Sequence, residues 1–147
     1  MNYRFLDAFD ASKRMLLGDL GSLLTHLNKG RLTFIGPEDL SEAALRSSWR
    51  VAEEEDSGTI VGMIALLPNH SPRGFFGLIV DFVVRPEDRR KGIGGKLLED
   101  IVKEAKRQRM RWLRAMIKPD QEAAKLFLKL GFVPDANGGL RLDISSP

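Results

Sequence analysis

Apolar residues recur along this 147-residue chain with two different periods, which predicts a mixed α/β protein. Leucines spaced three and four apart indicate an amphipathic helix over residues 12–28, and a second helical pattern starts at Lys96. Short apolar runs bounded by Gly, Pro, Asn or Asp indicate strands. The predicted strands cover residues 3–5, 49–53, 59–67, 78–84, 112–117 and 140–144, and further helices cover residues 37–48 and 121–130.

Turn and cap residues set the expected boundaries of these elements. Ser12 is predicted to cap the first helix and Asp120 to cap the last one. The fifth strand is predicted to end at Lys118 and Pro119. Residues 68–77 are rich in Pro, Gly and polar side chains, and they are predicted to form a surface loop.

The stretch between Leu78 and Arg109 combines a strand, a basic glycine-rich turn and a helix. The first N–H groups of a helix lack internal partners and carry partial positive charge, and glycines let a ligand approach the backbone. Nearby arginines add whole charges, so such a unit can hold a phosphate. An ordinary strand-to-helix connection with a solvated basic turn accounts equally well for the glycine and charge counts. The turn reads Arg89-Arg90-Lys91-Gly92-Ile93-Gly94-Gly95.

Two common phosphate-binding motifs do not fit this turn. A Walker A loop ends in Gly-Lys followed by Ser or Thr, whereas Gly95 and Lys96 are followed by Leu97. A Rossmann fingerprint that started at Gly92 would need a third glycine at position 97. A dinucleotide fold also places its glycine loop in the first βα unit, and this turn lies well past the middle of the chain.

Composition and charge narrow the function classes. Hydrophobic residues make up 43% of the chain and charged residues 29%, as in a globular protein with a proper core. The chain has no cysteine and two histidines, which excludes disulfides, thiolate metal sites and a cysteine nucleophile and argues against a metal site. No secretory signal and no membrane-spanning run is visible, so a cytoplasmic location is expected. The net charge of +3 is small for a nucleic-acid binder.

The spacing Arg89-x-x-Gly92-x-Gly94, between such a strand and such a helix, resembles the coenzyme A pyrophosphate loop of the Gcn5-related N-acetyltransferases. The segment Ala-Lys-Leu-Phe-Leu-Lys-Leu-Gly-Phe at residues 124–132 is similar to the second signature of that family. The resemblance covers nearly the whole chain and implies one domain over residues 1–147. It implies an α/β fold with a mixed, mostly antiparallel sheet flanked by helices and with splayed central strands.

The resemblance also implies acetyl-CoA as co-substrate and assigns residues to it. The pantetheine arm would enter beside the central strand and pair with backbone groups of Phe82, Val83 and Val84. Arg89 would lie beside the pyrophosphate, and Gln121 stands where the family often has a cofactor-binding Asn. The pyrophosphate would be held by backbone N–H groups of Arg90, Lys91, Gly92, Ile93, Gly94, Gly95 and Lys96.

Acetyl transfer to an amine needs a base, because an alkylammonium with a pKa of about 10 must lose a proton before its nitrogen can attack. Asp81 is the only acid within the central strand and is the candidate, unless strand alternation turns it to the other face for packing or capping. The acids at 53–55 are alternates, with a solvated turn as the other interpretation. The resemblance assigns the oxyanion to a backbone N–H near Val83 or Val84, and it places Leu128 at the position of the family's proposed proton-donating tyrosine.

The leading hypothesis is an enzyme that moves acetyl from acetyl-CoA to a primary amine, on a small molecule or a protein, by direct attack in a ternary complex. The alternative, which Leu128 favours, is a non-catalytic acyl-CoA-binding or regulatory domain on the same fold. A nucleic-acid or other anionic-partner binder is the third hypothesis. The acceptor is expected between the first two helices and residues 68–77, and the last hairpin offers a route to a homodimer.

Overall fold

A computed structural model describes residues 1–117 and 120–144 of the chain. Within these residues the strands are β1 (Asn2–Phe5), β2 (Ser48–Glu53), β3 (Ile60–Ser71), β4 (Gly74–Val84), β5 (Trp112–Ala115), β6 (Val133–Pro134) and β7 (Leu140–Asp143). The α-helices are α1 (Arg14–Leu27), α2 (Pro37–Arg46), α3 (Ile93–Arg107) and α4 (Ala124–Lys129), and short 3-10 helices occupy Ala8–Ser12 and Pro86–Asp88. None of these helices is long and apolar enough to cross a membrane.

The described strands form one sheet in the order β1-β2-β3-β4-β5-β7-β6. β4 and β5 run parallel, and the other neighbouring pairs run antiparallel. A parallel pair requires a crossover connection, which α3 provides between the end of β4 and the start of β5. The predicted single-domain α/β fold with a mixed, mostly antiparallel sheet is confirmed.

Helices cover both faces of the sheet, and each face has its own apolar core. One face, termed the α3 face, buries the apolar side of α3, which consists of Ile93, Leu97, Leu98, Ile101, Val102 and Ala105. The other, termed the α1 face, buries leucines one helical turn apart, namely Leu16, Leu20 and Leu23 of α1 with Leu40 of α2. Burial of each such side chain contributes about 1.5–3 kcal/mol, so these two stripes fix the helices against the sheet.

The prediction of a surface loop at residues 68–77 is wrong. β3 and β4 continue through this region as a long hairpin closed by a two-residue turn. His70 stacks on Phe75 with ring centroids 4.2 Å apart, and cross-strand aromatic pairs stabilise a hairpin. Pro68 is tolerated because β2 ends opposite Leu66, so no strand on that side requires the missing N–H. The acceptor-facing loop expected here is therefore a rigid extension of the sheet.

Two helix starts also differ from prediction. Ser12 ends the first 3-10 helix and donates its hydroxyl to Phe9 O at 2.8 Å, so it does not cap α1. The last helix starts later than predicted, and Ala123 rather than Asp120 occupies its cap position. The fifth strand was predicted over residues 112–117 but ends at Ala115, two residues early, and the predicted stop residues 118–119 lie outside the described residues.

Candidate active site

β4 and β5 pair over only part of their length. The pairing runs from Phe76 with Trp112 to Ile79 with Ala115, where β5 ends. β4 continues to Val84 while still paired with β3, so its other edge has no neighbouring strand among the described residues. Backbone N–H and C=O groups on such an edge can pair with an extended ligand. The predicted splaying of the central strands is confirmed.

An extra residue interrupts β4 at the start of this open edge. Between the pair Ala65 and Val80 and the pair Met63 and Val83, β3 advances two residues whereas β4 advances three. Asp81 has a φ of +53°, which a non-glycine residue rarely adopts. A β-bulge of this kind bends the strand and redirects its backbone groups.

The Asp81 carboxyl is half-buried and has no hydrogen bond or ion pair with any described residue. Burial raises its pKa above the ordinary value for aspartate. Ile79 and Phe82 pack against the α3-face core, and Val80 and Val83 belong with the α1-face core. The apolar alternation therefore runs as if Asp81 were absent, and its carboxyl belongs to neither core.

α3 begins with backbone N–H groups that have no partner in the described chain. Its N-cap is Gly92 with a φ of +81°, and Arg90 is also left-handed with a φ of +64°. The N–H groups of residues 90–95 donate to no acceptor in the part of the chain that the structure describes, whereas Lys96 N–H donates to Gly92 O at 3.1 Å. The backbone N–H groups available to a phosphate are therefore those of residues 90–95, one fewer than predicted.

Gly94 is the point where α3, α4 and β4 meet. A Cβ at this position would lie 3.1 Å from Leu126 Cδ1 and 3.3 Å from Phe82 Cζ. Glycine lowers helix propensity by about 1 kcal/mol, which made a helix start at Lys96 the natural prediction. The helix instead starts at Ile93, and the close packing of its first turn against Leu126 and Phe82 favours a residue without a side chain at position 94.

Several basic side chains near the turn are already bound by the protein. Asp88 is 5% exposed and accepts hydrogen bonds from both Arg85 and Lys91, the latter at 3.0 Å. Arg89 Nε donates to the last carbonyl of β4 at 3.0 Å. Arg90, by contrast, is exposed and forms no ion pair within residues 1–117 and 120–144. Its guanidinium is therefore available to an anionic ligand.

Asp88 is a support of the turn that the sequence analysis did not single out. The hydrogen bonds from Arg85 and Lys91 hold the pKa of its carboxyl below the ordinary value. Because it joins Arg85, before the turn, to Lys91, within it, Asp88 sets the path of the chain between β4 and the free N–H groups. The available signal was an acid three residues from a basic residue on either side.

α4 carries the second sequence signature and packs it beside the open edge. Phe127 is buried with its ring edge-on to those of Phe82 and Phe132, at centroid distances of 5.6 and 5.1 Å. Gln121 precedes α4, and its carbonyl accepts a hydrogen bond from the N–H three residues later at 3.0 Å. Leu128 is 42% exposed, so the position of the family tyrosine faces solvent.

The other candidate acids are in ion pairs, and both histidines lie away from the open edge of β4. The acids at positions 53–55 each form an ion pair with a cation of the chain. His70 lies near the end of β3, opposite Phe75 of β4, and His26 lines an open cavity of about 410 Å³ together with residues of α1, β3 and the turn after β4. Asp81 is therefore the unpaired acid that stands on the open edge among the described residues.

Several solved structures of other proteins have the same fold as this chain. Ribosomal-protein-alanine N-acetyltransferase from Brucella melitensis has a TM-score of 0.75 at 20% identity, over 98% of this chain and 100% of that one. Glucosamine-6-phosphate N-acetyltransferase from Arabidopsis thaliana has a TM-score of 0.74 at 22% identity, over 99% and 97%. A Mycobacterium tuberculosis protein in complex with CoA has a TM-score of 0.68 at 20% identity, over 92% and 73%. A search of curated proteins found no match.

At these identities the structural likeness shows the fold alone. A sequence model described as "Acetyltransferase (GNAT) family" matches residues 26–132, which is most of the chain. The match includes the glycine-rich turn after β4 and the signature carried by α4. The chain therefore belongs to the GNAT family of acetyl-CoA-dependent acetyltransferases.

Proposed function

We propose that this chain, acting as one domain over residues 1–147, transfers the acetyl group of acetyl-CoA to a primary amine by direct attack in a ternary complex. One observation carries the proposal. The bulge at Asp81, the open edge of β4 and the free N–H groups of residues 90–95 follow one another along the chain. An elongated ligand with a thioester at one end, amides in its middle and a diphosphate beyond them matches that order.

The open edge offers two residues for pairing with the amide-containing arm. Arg85 N–H donates to Val61 O of β3 at 2.8 Å. Successive N–H groups of a strand point to opposite sides, so those of Val84 and Phe82 face the open edge and that of Val83 faces β3. Phe82 and Val84 are therefore the proposed pairing residues, and Val83 supports the strand through its buried side chain.

The diphosphate is proposed to bind the N–H groups of residues 90–95, with the positive end of the α3 dipole behind them. Arg90 adds a charge that pairs with no described residue, and Arg89 lies at the far end of the open edge. Lys91 is proposed to act through its ion pair with Asp88 rather than by direct contact. Gln121, at the approach to α4, is a further proposed cofactor contact.

Asp81 is the proposed base. An amine with a pKa of about 10 is protonated at neutral pH, and the carboxylate takes that proton directly or through one water. The raised pKa of Asp81 makes the carboxylate a stronger base. The nitrogen lone pair then bonds to the thioester carbon, and Phe82 N–H, which faces the open edge beside Asp81, is proposed to donate to the developing oxyanion. The carbon–sulfur bond breaks, and the nitrogen gives its remaining excess proton to water.

The thiolate is proposed to leave without a tyrosine donor. A thiol has a pKa of about 8.5, so water can protonate the departing sulfur without a positioned hydroxyl. The exposure of Leu128 lets solvent reach that side of α4. The same leucine favours a second candidate function, a domain on this fold that binds acyl-CoA without turning it over.

Two measurements test these functions. Calorimetry with acetyl-CoA reports binding, and thiol release in the presence of a panel of primary amines reports transfer, with the N-acetyl product identified by mass spectrometry. Amine transfer requires saturable binding and amine-dependent thiol release. Tight binding with no release on any amine would support the regulatory domain. Absence of acetyl-CoA binding would refute both functions.

A further inference from the structure

On the α1 face, α1 packs over β3 and β4, and the partly exposed region of this face lies beyond it on β5 and β7, beside the open edge of β4. On the α3 face, the start of α3 and the residues of α4 close over the strand, since Gly94, Leu126 and Phe127 pack against Phe82. An acceptor amine must therefore come from the opposite face. The inference below rests on the proposed amine acetylation and concerns the chemical class of that amine.

Arg114 lies on the α1 face where the pairing of β4 and β5 ends. It is in register with Leu78, one residue before Ala115, the last residue of β5. Leu113 and Ala115 belong to the α3-face core, so strand alternation puts Arg114 on the α1 face. Its Nη2 donates to Gly138 O at 3.3 Å, in the β6–β7 turn that passes beside the end of β5.

Most N–H donors of Arg114 have no acceptor among residues 1–117 and 120–144. A guanidinium has five N–H donors, and one of those of Arg114 has an acceptor in the described chain. Nε is buried and lies 3.3 Å from Asp135 Oδ2, close enough for an ion pair but without hydrogen-bond geometry. The side chain is 27% exposed, which leaves its terminal nitrogens open to a ligand.

Arg141 lies beside Arg114 on the same face, but its guanidinium is bound by protein groups. Its Nε donates to Asp143 Oδ1 at 2.8 Å, and its guanidinium lies over the Trp112 ring at 4.8 Å. Adjacent like charges on neighbouring strands repel, and ion pairs with Asp143 and Asp135 offset that repulsion. Arg141 is thus bound by protein groups, whereas Arg114 has donors beside the opening with no partner in the described part of the chain.

We infer that the acceptor is an amine that also carries an oxyanion, a carboxylate or a phosphate, and that Arg114 binds this group. An amine without an anionic group has nothing to accept the donors of the guanidinium, whereas an oxyanion accepts two parallel hydrogen bonds from it. Asp81 stands beyond Leu78 on β4, about 10 Å further along the strand. The oxyanion is therefore separated from the reacting nitrogen by several bonds.

The test compares amines that differ only at the far end: ε-aminocaproate with its amide, and aminohexyl phosphate with aminohexanol. We expect kcat/KM to be at least about tenfold higher for the anionic member of one pair, which is the usual strength of a hydrogen bond to a charged group. The pair with the larger ratio identifies carboxylate or phosphate as the group. Equal values within both pairs would overturn the inference, and this comparison requires no variant.

Variants then assign the preference to a residue. Arg114→Gln should bring the ratio to about one by lowering kcat/KM for the anionic amines, and Arg114→Lys should keep part of the preference because the charge remains but the planar fork is lost. Arg141→Gln is the matched control and should keep the wild-type ratio. Folding is checked by thermal melting and acetyl-CoA affinity. A folded Arg114→Gln that keeps the preference, or an Arg141→Gln that loses it, would refute the assignment.

Failure of the proposed function would have a different signature. If acetyl-CoA binds but no amine releases thiol, amine acetylation is wrong, and the anion site is decided by binding alone. Calorimetric titration of ε-aminocaproate and aminohexyl phosphate into protein saturated with CoA provides that measurement. Binding that disappears in Arg114→Gln would support the site, and absence of binding to the wild type would overturn it.

Discussion

Lys91 turns its ammonium onto Asp88, with Nζ 3.0 Å from Oδ1, so this cation of the glycine-rich turn faces the protein. Asp88 is held from its other side by Arg85, which also lies 3.6 Å from Glu54 in the connection between β2 and β3. The turn that joins β4 to α3 is thereby tied to a separate part of the sheet. The direction of its free N–H groups is set by the fold before any ligand arrives.

Asp88→Asn tests this support. Loss of the charge releases Lys91 and Arg85, and we expect the Kd for acetyl-CoA to rise about tenfold, equivalent to about 1.4 kcal/mol. The kcat at saturating acetyl-CoA should stay near the wild-type value, because the open edge of β4 is untouched. Calorimetry and steady-state kinetics give the two numbers.

Lys91→Met and Arg90→Gln separate support from direct contact. A cation that touches the diphosphate makes affinity depend on salt, since added ions screen the attraction. Arg90→Gln should therefore flatten the dependence of acetyl-CoA affinity on salt, and Lys91→Met should weaken binding without flattening it. Equal flattening in both variants would mean that Lys91 contacts the ligand itself.

Gly94→Ala tests the close packing at the start of α3. A methyl group there meets Leu126 and Phe82, and overpacking of this kind costs about 1–3 kcal/mol, which exceeds the roughly 0.5–1 kcal/mol that Ala gains in a helix. We expect a lower free energy of unfolding together with weaker acetyl-CoA binding, measured by denaturant titration and calorimetry. Gly18→Ala is the control, because Gly18 is exposed in α1 with nothing within 4 Å of its Cβ position. It should stabilise the protein by about 0.5–1 kcal/mol.

Asp81→Asn should separate activity from stability. Loss of the proposed base should lower kcat about 10²–10⁴-fold and leave acetyl-CoA affinity unchanged. Burial raises the pKa of Asp81 in the folded state, so its carboxylate destabilises the fold above that pKa, and the neutral Asn should raise Tm at pH 7. The wild-type kcat/KM should increase as pH rises through the raised pKa. A variant with full kcat would remove Asp81 from the mechanism.

Asp10 is expected to contribute to stability against acid. Burial alone would raise its pKa, but hydrogen bonds from Arg4, Lys13 and the backbone of Asp7 lower the pKa to about 2. A folded pKa below the unfolded value gives stability that is complete above about pH 4 and is lost as the pH falls toward 2. Asp10→Asn should cost about 2 kcal/mol at pH 7 by denaturant titration. The exposed Asp56, changed to Asn, should have little effect.

Leu128→Tyr tests the missing proton donor. The position is exposed, so the larger ring should fit without disturbing the core. If departure of the thiolate limits turnover, the added hydroxyl should raise kcat severalfold, with about the same Kd for acetyl-CoA. Leu128→Phe adds the ring without the hydroxyl, and an equal gain in that variant would assign the effect to packing instead.

Local patterns predicted the parts of this fold that depend on neighbouring residues. Helical periodicity located the four α-helices, and glycine and charge spacing located the turn between β4 and α3. The hairpin at residues 68–77 was missed because its Pro and Gly content argued for a loop. Its stability comes from contacts distant in sequence, such as Phe76 stacked on Trp112 with ring centroids 4.7 Å apart.

In the candidate site, too, features set by neighbouring residues could be predicted and features set by distant contacts could not. The turn at residues 89–95 could be found from the order of its residues. Arg114 could not, because its place beside the opening depends on the register of three strands. The left-handed backbone of Asp81 was equally invisible, since an acid inside an apolar run gives no sign that the strand contains one residue more than its neighbour requires.

That additional residue has a consequence for how the protein can lose function. Apolar side chains on either side of Asp81 keep the in-and-out order of an uninterrupted strand. A variant that lacks Asp81 would retain both hydrophobic cores, and its β4 would form a regular hydrogen-bonded ladder with β3. It would be a well-folded protein without a kink at its reactive centre, in which the scaffold survives and the chemistry is gone.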